Sequence, residues 1–222
     1  MTPSRRWVAE ALGTAFLLAM VVGSGIMAER LAAGNAALAL LANSIATGAG
    51  LMALIFTFAP ISGAHFNPAV TLLMAFEGQL SWQAVPGYVV AQTLGAFVGV
   101  ASAHLMFAEP IFVLSQHVRS GYAQFCSEFI ATFGLMAVIL SCARYRPHHI
   151  AIAVGAYITA AYWFTSSTAF ANPAVTLARA LTNTFSGIRL ADVGCFIVAQ
   201  LAGTLSAWFL LRWLLDRPKN LS

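Results

Sequence analysis

Charged side chains are scarce, at 8% of 222 residues, with 11 lysines and arginines against 7 aspartates and glutamates. A soluble domain carries about 25%. So few charges could not clothe a water-facing surface of this size, and lipid is the solvent the chain fits. Cysteine is scarcer still. Cys126, Cys142 and Cys195 lie in apolar stretches without metal-ligand spacing, which predicts packing residues, no disulfide and no metal site. There is no His/Cys/Glu cluster, no Ser/His/Asp arrangement at suggestive spacing and no glycine-rich phosphate loop. Nothing therefore points to an enzyme or to a cofactor. A continuous basic patch is also missing, so the net charge of +4 does not indicate nucleic-acid binding.

What is abundant is apolar surface: 60% of residues are hydrophobic and the mean hydropathy is +0.82. A membrane helix needs about 20 mostly apolar residues. Six such runs are predicted at 7–28, 36–58, 83–107, 123–143, 149–168 and 189–215. They leave room for loops but not for a soluble domain, so residues 1–222 read as one integral membrane domain. Arg5 and Arg6, Arg144 and Arg146, and Arg217 and Lys219 form three basic clusters separated by even numbers of spans. The positive-inside rule makes all three cytoplasmic, and both termini with them. The first run contains Glu10 and extends to Ala28, which fits a retained span better than a signal peptide.

The chain repeats itself. Glu10 answers Glu128, Asn67 answers Asn172 and Gln92 answers Gln200, at offsets of 118, 105 and 108 residues. The approximate repeats are 1–107 and 122–217. Each holds three spans, an odd number, so the second enters the membrane inverted, and a shared site is expected where the repeats meet near the midplane. Ala91, Gly95 and Gly99 recur at every fourth position, as do Ala199, Gly203 and Ala207. Such stripes let membrane helices approach closely.

Two shorter apolar pieces begin at Asn67-Pro68-Ala69 and Asn172-Pro173-Ala174. Asparagine is a favoured N-cap and proline suits the first helical position. Each piece would reach only about halfway across a bilayer core of ~30 Å. One such motif would mark a helix start only. Two copies in an inverted duplication predict half-helices whose N-termini face one another, because irregular backbone at membrane depth must line protein or a cavity. Each asparagine oxygen would cap its own helix and leave the NH₂ to donate into a pore, while the helix dipoles would repel cations.

These residues, together with Ser62-Gly63-Ala64-His65-Phe66-Asn67-Pro68-Ala69-Val70, Glu10, Glu128, Gln92 and Gln200, resemble the aquaporin (major intrinsic protein) family over nearly the whole chain. The resemblance implies an all-α membrane protein: six transmembrane helices plus two re-entrant half-helices in an inverted repeat, packed as a right-handed aquaporin-type bundle. It implies a homotetramer with one pore per protomer and a constriction at the two asparagines. It also implies that Glu10 and Glu128 hold the re-entrant loops, and that His65 lies at the cytoplasmic mouth. For the glutamates a proton-coupling role is the alternative, and for His65 a pH gate.

The sequence departs from the family at the filter. Where members follow the second motif with arginine, Val175 stands. Motif spacing puts the other filter positions at Thr47, Ala160 and Ala169, with Ala161 in place of Ala160 if one residue is gapped. This set is small and largely apolar and predicts a wide pore. Losing arginine removes a fixed charge and a five-donor fork. Arg179 lies four residues on, on the same helical face. It either carries the displaced charge in the outer vestibule or is a solvated arginine, or one paired with Asp192. The Thr47/Val175 combination also resembles a bacterial branch of the family associated with arsenic resistance. The expectation is a passive channel in a bacterial inner membrane, requiring no cofactor. Its cargo would be small uncharged solutes such as polyols, arsenous acid or methylated arsenicals, and water. A water-selective pore and a proton-coupled small-solute transporter are the alternatives.

Overall fold

The computed structural model describes residues 1–215. Arg217 and Lys219, and the end of the second expected repeat, lie outside the described residues. Those residues form helices and loops, with no strand among them. The order is α1 (Pro3–Leu31), α2 (Ala36–Ser62), α3 (Pro68–Phe76), α4 (Val85–Phe107), α5 (Tyr122–Tyr145), α6 (Ile150–Phe164), α7 (Pro173–Arg179) and α8 (Leu190–Leu215). Each half of the chain thus runs through two helices, a short stub and a third helix. α1, α2, α4, α5 and α8, with a short 3₁₀ turn extending α4 at its start, are long and apolar enough to cross a membrane.

α6 is the exception. Its 15 residues reach about 22 Å at 1.5 Å per residue, short of the run expected at 149–168. The helix stops at Phe164 because Thr165 turns extended, its hydroxyl donating to the carbonyl of Ala161 at 2.7 Å. The chain then returns as a loop into the bundle, which brings Asn172 to the interior.

The bundle is apolar outside and holds buried polar groups within a largely apolar core. Leu12, Phe16, Val90, Leu94, Val98 and Phe209 are exposed, whereas Glu10, Gln92, Glu128 and Gln200 are fully buried. That arrangement suits a lipid surround, where buried polar groups must find partners inside the protein. α1 packs along α4 and α2, α5 along α8, and α2 along α6. The small residues sit on these seams. A methyl at Gly95 or Gly99 would overlap the carbonyls of Ala11 or Ala15 on α1, and one at Gly203 would overlap that of Phe129 on α5. Cys126 and Cys142 are half-buried and Cys195 is exposed.

Candidate functional site

The stubs begin where local chemistry puts them. Asn67 and Asn172 are extended, and each is followed by a proline at the first helical position. The Asn67 Oδ1 accepts from the Ala69 N–H at 2.9 Å. The Asn172 Oδ1 accepts from Ala174 at 3.0 Å and Val175 at 3.3 Å. The residues just before them, Phe66 (φ +49°) and Ala171 (φ +46°), are left-handed, as are Ala64 and Ala169 two positions earlier. Residues with a Cβ rarely adopt this region, so something must hold the backbone there.

The buried glutamates do so. The Glu10 carboxylate accepts from the His65 N–H (2.9 Å), the Phe66 N–H (2.7 Å), the Ser62 hydroxyl (2.6 Å) and the Gln92 Nε2 (2.7 Å). Glu128 repeats the pattern with the Phe170 and Ala171 N–H groups, both at 2.9 Å, and the Gln200 Nε2 at 2.6 Å. Each glutamine also donates to the threonine of its own stub, Thr71 or Thr176, at 2.9 Å.

The two stubs meet at their caps. The Asn67 Nδ2 donates to the Ala171 carbonyl at 2.7 Å, and the Asn172 Nδ2 to the Phe66 carbonyl at 2.8 Å. An NH₂ carries two N–H bonds, so one per asparagine ties the halves together and one remains. This differs from the sequence reading, which left the whole NH₂ to the pore.

A cavity of about 230 Å³ runs past these caps, lined by Gln79, Ala143 and Ile150, by His65, Asn67 and Asn172, and by Thr47, Tyr162, Ala169, Val175 and Arg179. Among the described residues its lining contains no aspartate or glutamate. The His65 Nδ1 lies 3.1 Å from the Thr71 hydroxyl. Pro68, Ala69, Pro173 and Ala174 form the first turns of the stubs.

Ala160 does not belong to this lining. It is exposed on the outer face of α6, while Val154, Ile158 and Tyr162 point inward at four-residue spacing. Two residues along a helix are about 200° apart, so Ala160 must face away when Ile158 and Tyr162 face in. Ala161 is buried but does not line the cavity either. The Tyr162 hydroxyl donates to the Thr47 Oγ1 at 3.2 Å. The apolar stripe at 154, 158 and 162 was the sequence signal for this side of the passage.

Arg179 is 2% exposed. Its guanidinium lies over the Phe170 ring, 3.4 Å from the centroid, and its Nε donates to the Ser186 carbonyl. Asp192 is not its partner; that carboxylate accepts from Arg189 at 2.9 Å and from the Arg119 backbone N–H at 2.8 Å. Arg119 was missed in the sequence because it sits in the loop before α5 with no periodicity to mark it. Its Nε donates to the Gly187 carbonyl at 2.8 Å, its Nη1 to that of Ser167 at 3.2 Å, and its Cζ lies 5.0 Å from the same Phe170 centroid. Burial pushes the Arg119 guanidinium below the usual arginine range, with Glu128 opposing the shift.

A lipid-facing helical bundle threaded by a cavity between two opposed stubs defines a transmembrane channel for small solutes, not an enzyme. A family model described as Major intrinsic protein matches residues 1–149 and 144–221. The chain belongs to the major intrinsic protein family. It is 56% identical over 213 residues to aquaglyceroporin AqpS of Rhizobium meliloti, covering 96% of this chain and 91% of that one. It is 35% identical over 155 residues to a probable glycerol uptake facilitator protein of Thermotoga maritima, covering 60% and 62%. In fold it is similar to the X-ray structure of the aquaglyceroporin from Plasmodium falciparum, with a TM-score of 0.77 at 19% identity over 96% and 97% of the two chains.

Proposed function

We propose that the cavity between the stubs passes polyols, metalloid hydroxides such as arsenous acid and methylated arsenicals, and water, all as uncharged species. The observation that carries this is the lining beyond the asparagines: Thr47, Tyr162, Ala169 and Val175, with no carboxylate among the described residues and with valine where a filter arginine would narrow the bore. The relatives described as an aquaglyceroporin and as a probable glycerol uptake facilitator support the polyol part. On this reading Asn67 and Asn172 form the central constriction, each presenting its remaining N–H to a passing hydroxyl oxygen. Glu10, Glu128, Gln92 and Gln200 support the loops, and His65 lines the inner mouth. The duplicated hydrogen-bond sets support one domain built from two inverted repeats. Arg5, Arg6, Arg144 and Arg146 support cytoplasmic termini in a bacterial inner membrane, and the family resemblance supports a homotetramer.

Stopped-flow light scattering on proteoliposomes challenged with water, glycerol, urea and arsenous acid tests it. Fluxes of glycerol and arsenous acid that rise linearly with gradient and ignore membrane potential are expected. Saturating, potential-dependent flux would replace the channel by a coupled transporter.

A further inference from the structure

Beyond Val175 the passage ends at a cation to which no carboxylate among the described residues is bonded. Arg179 is almost wholly buried and lines the cavity. An arginine has five N–H donors, and only its Nε has a protein acceptor among the described residues, the Ser186 carbonyl. The four N–H bonds of its two terminal nitrogens remain, on a guanidinium fixed against the Phe170 ring. Arg119 approaches the same ring and is likewise held by carbonyls alone.

The nearby carboxylates direct their hydrogen bonds elsewhere, and the one charge of Glu128 is shared at a distance between two guanidiniums. Glu128 is filled by two loop amides and Gln200. Asp192 is taken by Arg189 and by the Arg119 backbone. The salt bridges among the described residues, Arg30–Glu109 and Arg189–Asp192, include neither arginine. A buried ion without a bonded counterion is costly and marks function more often than packing.

We propose that Arg179, with Arg119 beside it, forms a capture subsite for the carboxylate of a small organic acid at the mouth beyond Val175. The planar fork of a guanidinium matches two carboxylate oxygens, and an anion supplies the direct contact, and the second negative charge for two guanidiniums, that Glu128 does not. A neutral polyol can accept the same N–H bonds but cannot neutralise the charge. Acid held there stands in the route of neutral solutes and competes with them. The competition rests on the proposed route, whereas the binding does not.

Glycerate is the probe, because it has the length of glycerol and one carboxylate. Binding of labelled glycerate to the detergent-purified protein is measured by equilibrium dialysis at low salt. Glycerol flux is measured in proteoliposomes with glycerate equal on both sides, so that insertion direction does not matter. Glycerate should bind saturably and slow glycerol. Arg179→Met should weaken binding by about tenfold or more, as for loss of a charged hydrogen-bond partner, and relieve the inhibition. Arg212→Met, at the far end of α8, should change neither. Absent glycerate binding, or equal binding by wild type and a well-folded Arg179→Met, overturns the proposal. Should Arg179→Met fail to fold, glyceramide decides on the wild type alone: binding as tight as that of glycerate overturns the subsite. Arg179-dependent binding without any glycerol flux would uphold the subsite while refuting the conduction route.

Discussion

Removing the Glu10 carboxylate should unseat the first re-entrant loop. Four donors converge on it. Two can find other partners: the Ser62 hydroxyl rotates, and the Gln92 amide keeps Thr71. The N–H groups of His65 and Phe66 cannot turn away, because Phe66 is locked at φ +49° between a cap and a cross-bundle bond. A buried donor left without an acceptor costs about 1–3 kcal/mol, so Glu10→Ala should lose about 2–6 kcal/mol. At about 2–4 °C per kcal/mol for a chain of this size, melting should fall by about 4 °C at the least. Glu128→Ala strands the Phe170 and Ala171 amides in the same way and should lose a similar amount. Thermal melting of purified protein by tryptophan fluorescence measures both, with glycerol flux followed from acid to neutral pH. A Glu10→Ala protein that melts like wild type while its flux loses a pH dependence would refute the scaffold argument and make this glutamate a proton carrier.

Gly95→Val should prevent α1 and α4 from closing, since the clash is with the Ala11 backbone and not with a movable side chain; loss of folded protein on gel filtration is the expected result, and wild-type elution would contradict the close approach. Tyr162→Phe removes one neutral hydrogen bond to Thr47, worth about 0.5–1.5 kcal/mol. It should melt within a few degrees of wild type with polyol flux maintained or raised, and a collapse of flux in stopped-flow assays would mean that the tyrosine hydroxyl serves the solute directly.

The parts legible in the sequence were those set by local chemistry. Asn-Pro fixes where a helix starts, because the cap and the missing N–H act within three residues; α3 and α7 begin at Pro68 and Pro173. The small-residue stripes were legible for a similar reason, since four-residue spacing defines one helix face. Ala160 failed because it was located by counting back across the loop 165–172, whose path depends on where Glu128 grips it. Spacing along a chain does not survive such a turn, while the stripe at 154, 158 and 162 would have. The end of α6 at Phe164 did carry a signal, because four polar residues, Thr165-Ser166-Ser167-Thr168, follow it directly. Arg119 and Arg179 converge on Phe170 from segments far apart in sequence, and no pattern within either segment announces the meeting.

Val175 and Arg179 share one face of the seven-residue α7, about 6 Å apart along its axis. Guanidinium groups at both positions would repel by about 3 kcal/mol at an effective dielectric of about 20, and no carboxylate among the described residues bonds to Arg179 to relieve them. A second arginine on the stub therefore adds to a repulsion that Arg119 already imposes on Arg179 across the Phe170 ring, and the position of the stub's arginine sets the bore. At 179 the guanidinium lies over the Phe170 ring. At 175 it would project into the level of Thr47 and Tyr162. Val175→Arg alone should lower melting and cut glycerol and arsenous acid flux while sparing water. Adding Arg179→Met should restore melting but not solute flux. If the double variant melts no higher than Val175→Arg, the charges are not competing; if it passes glycerol at the wild-type rate, Val175 does not line the narrow part of the route.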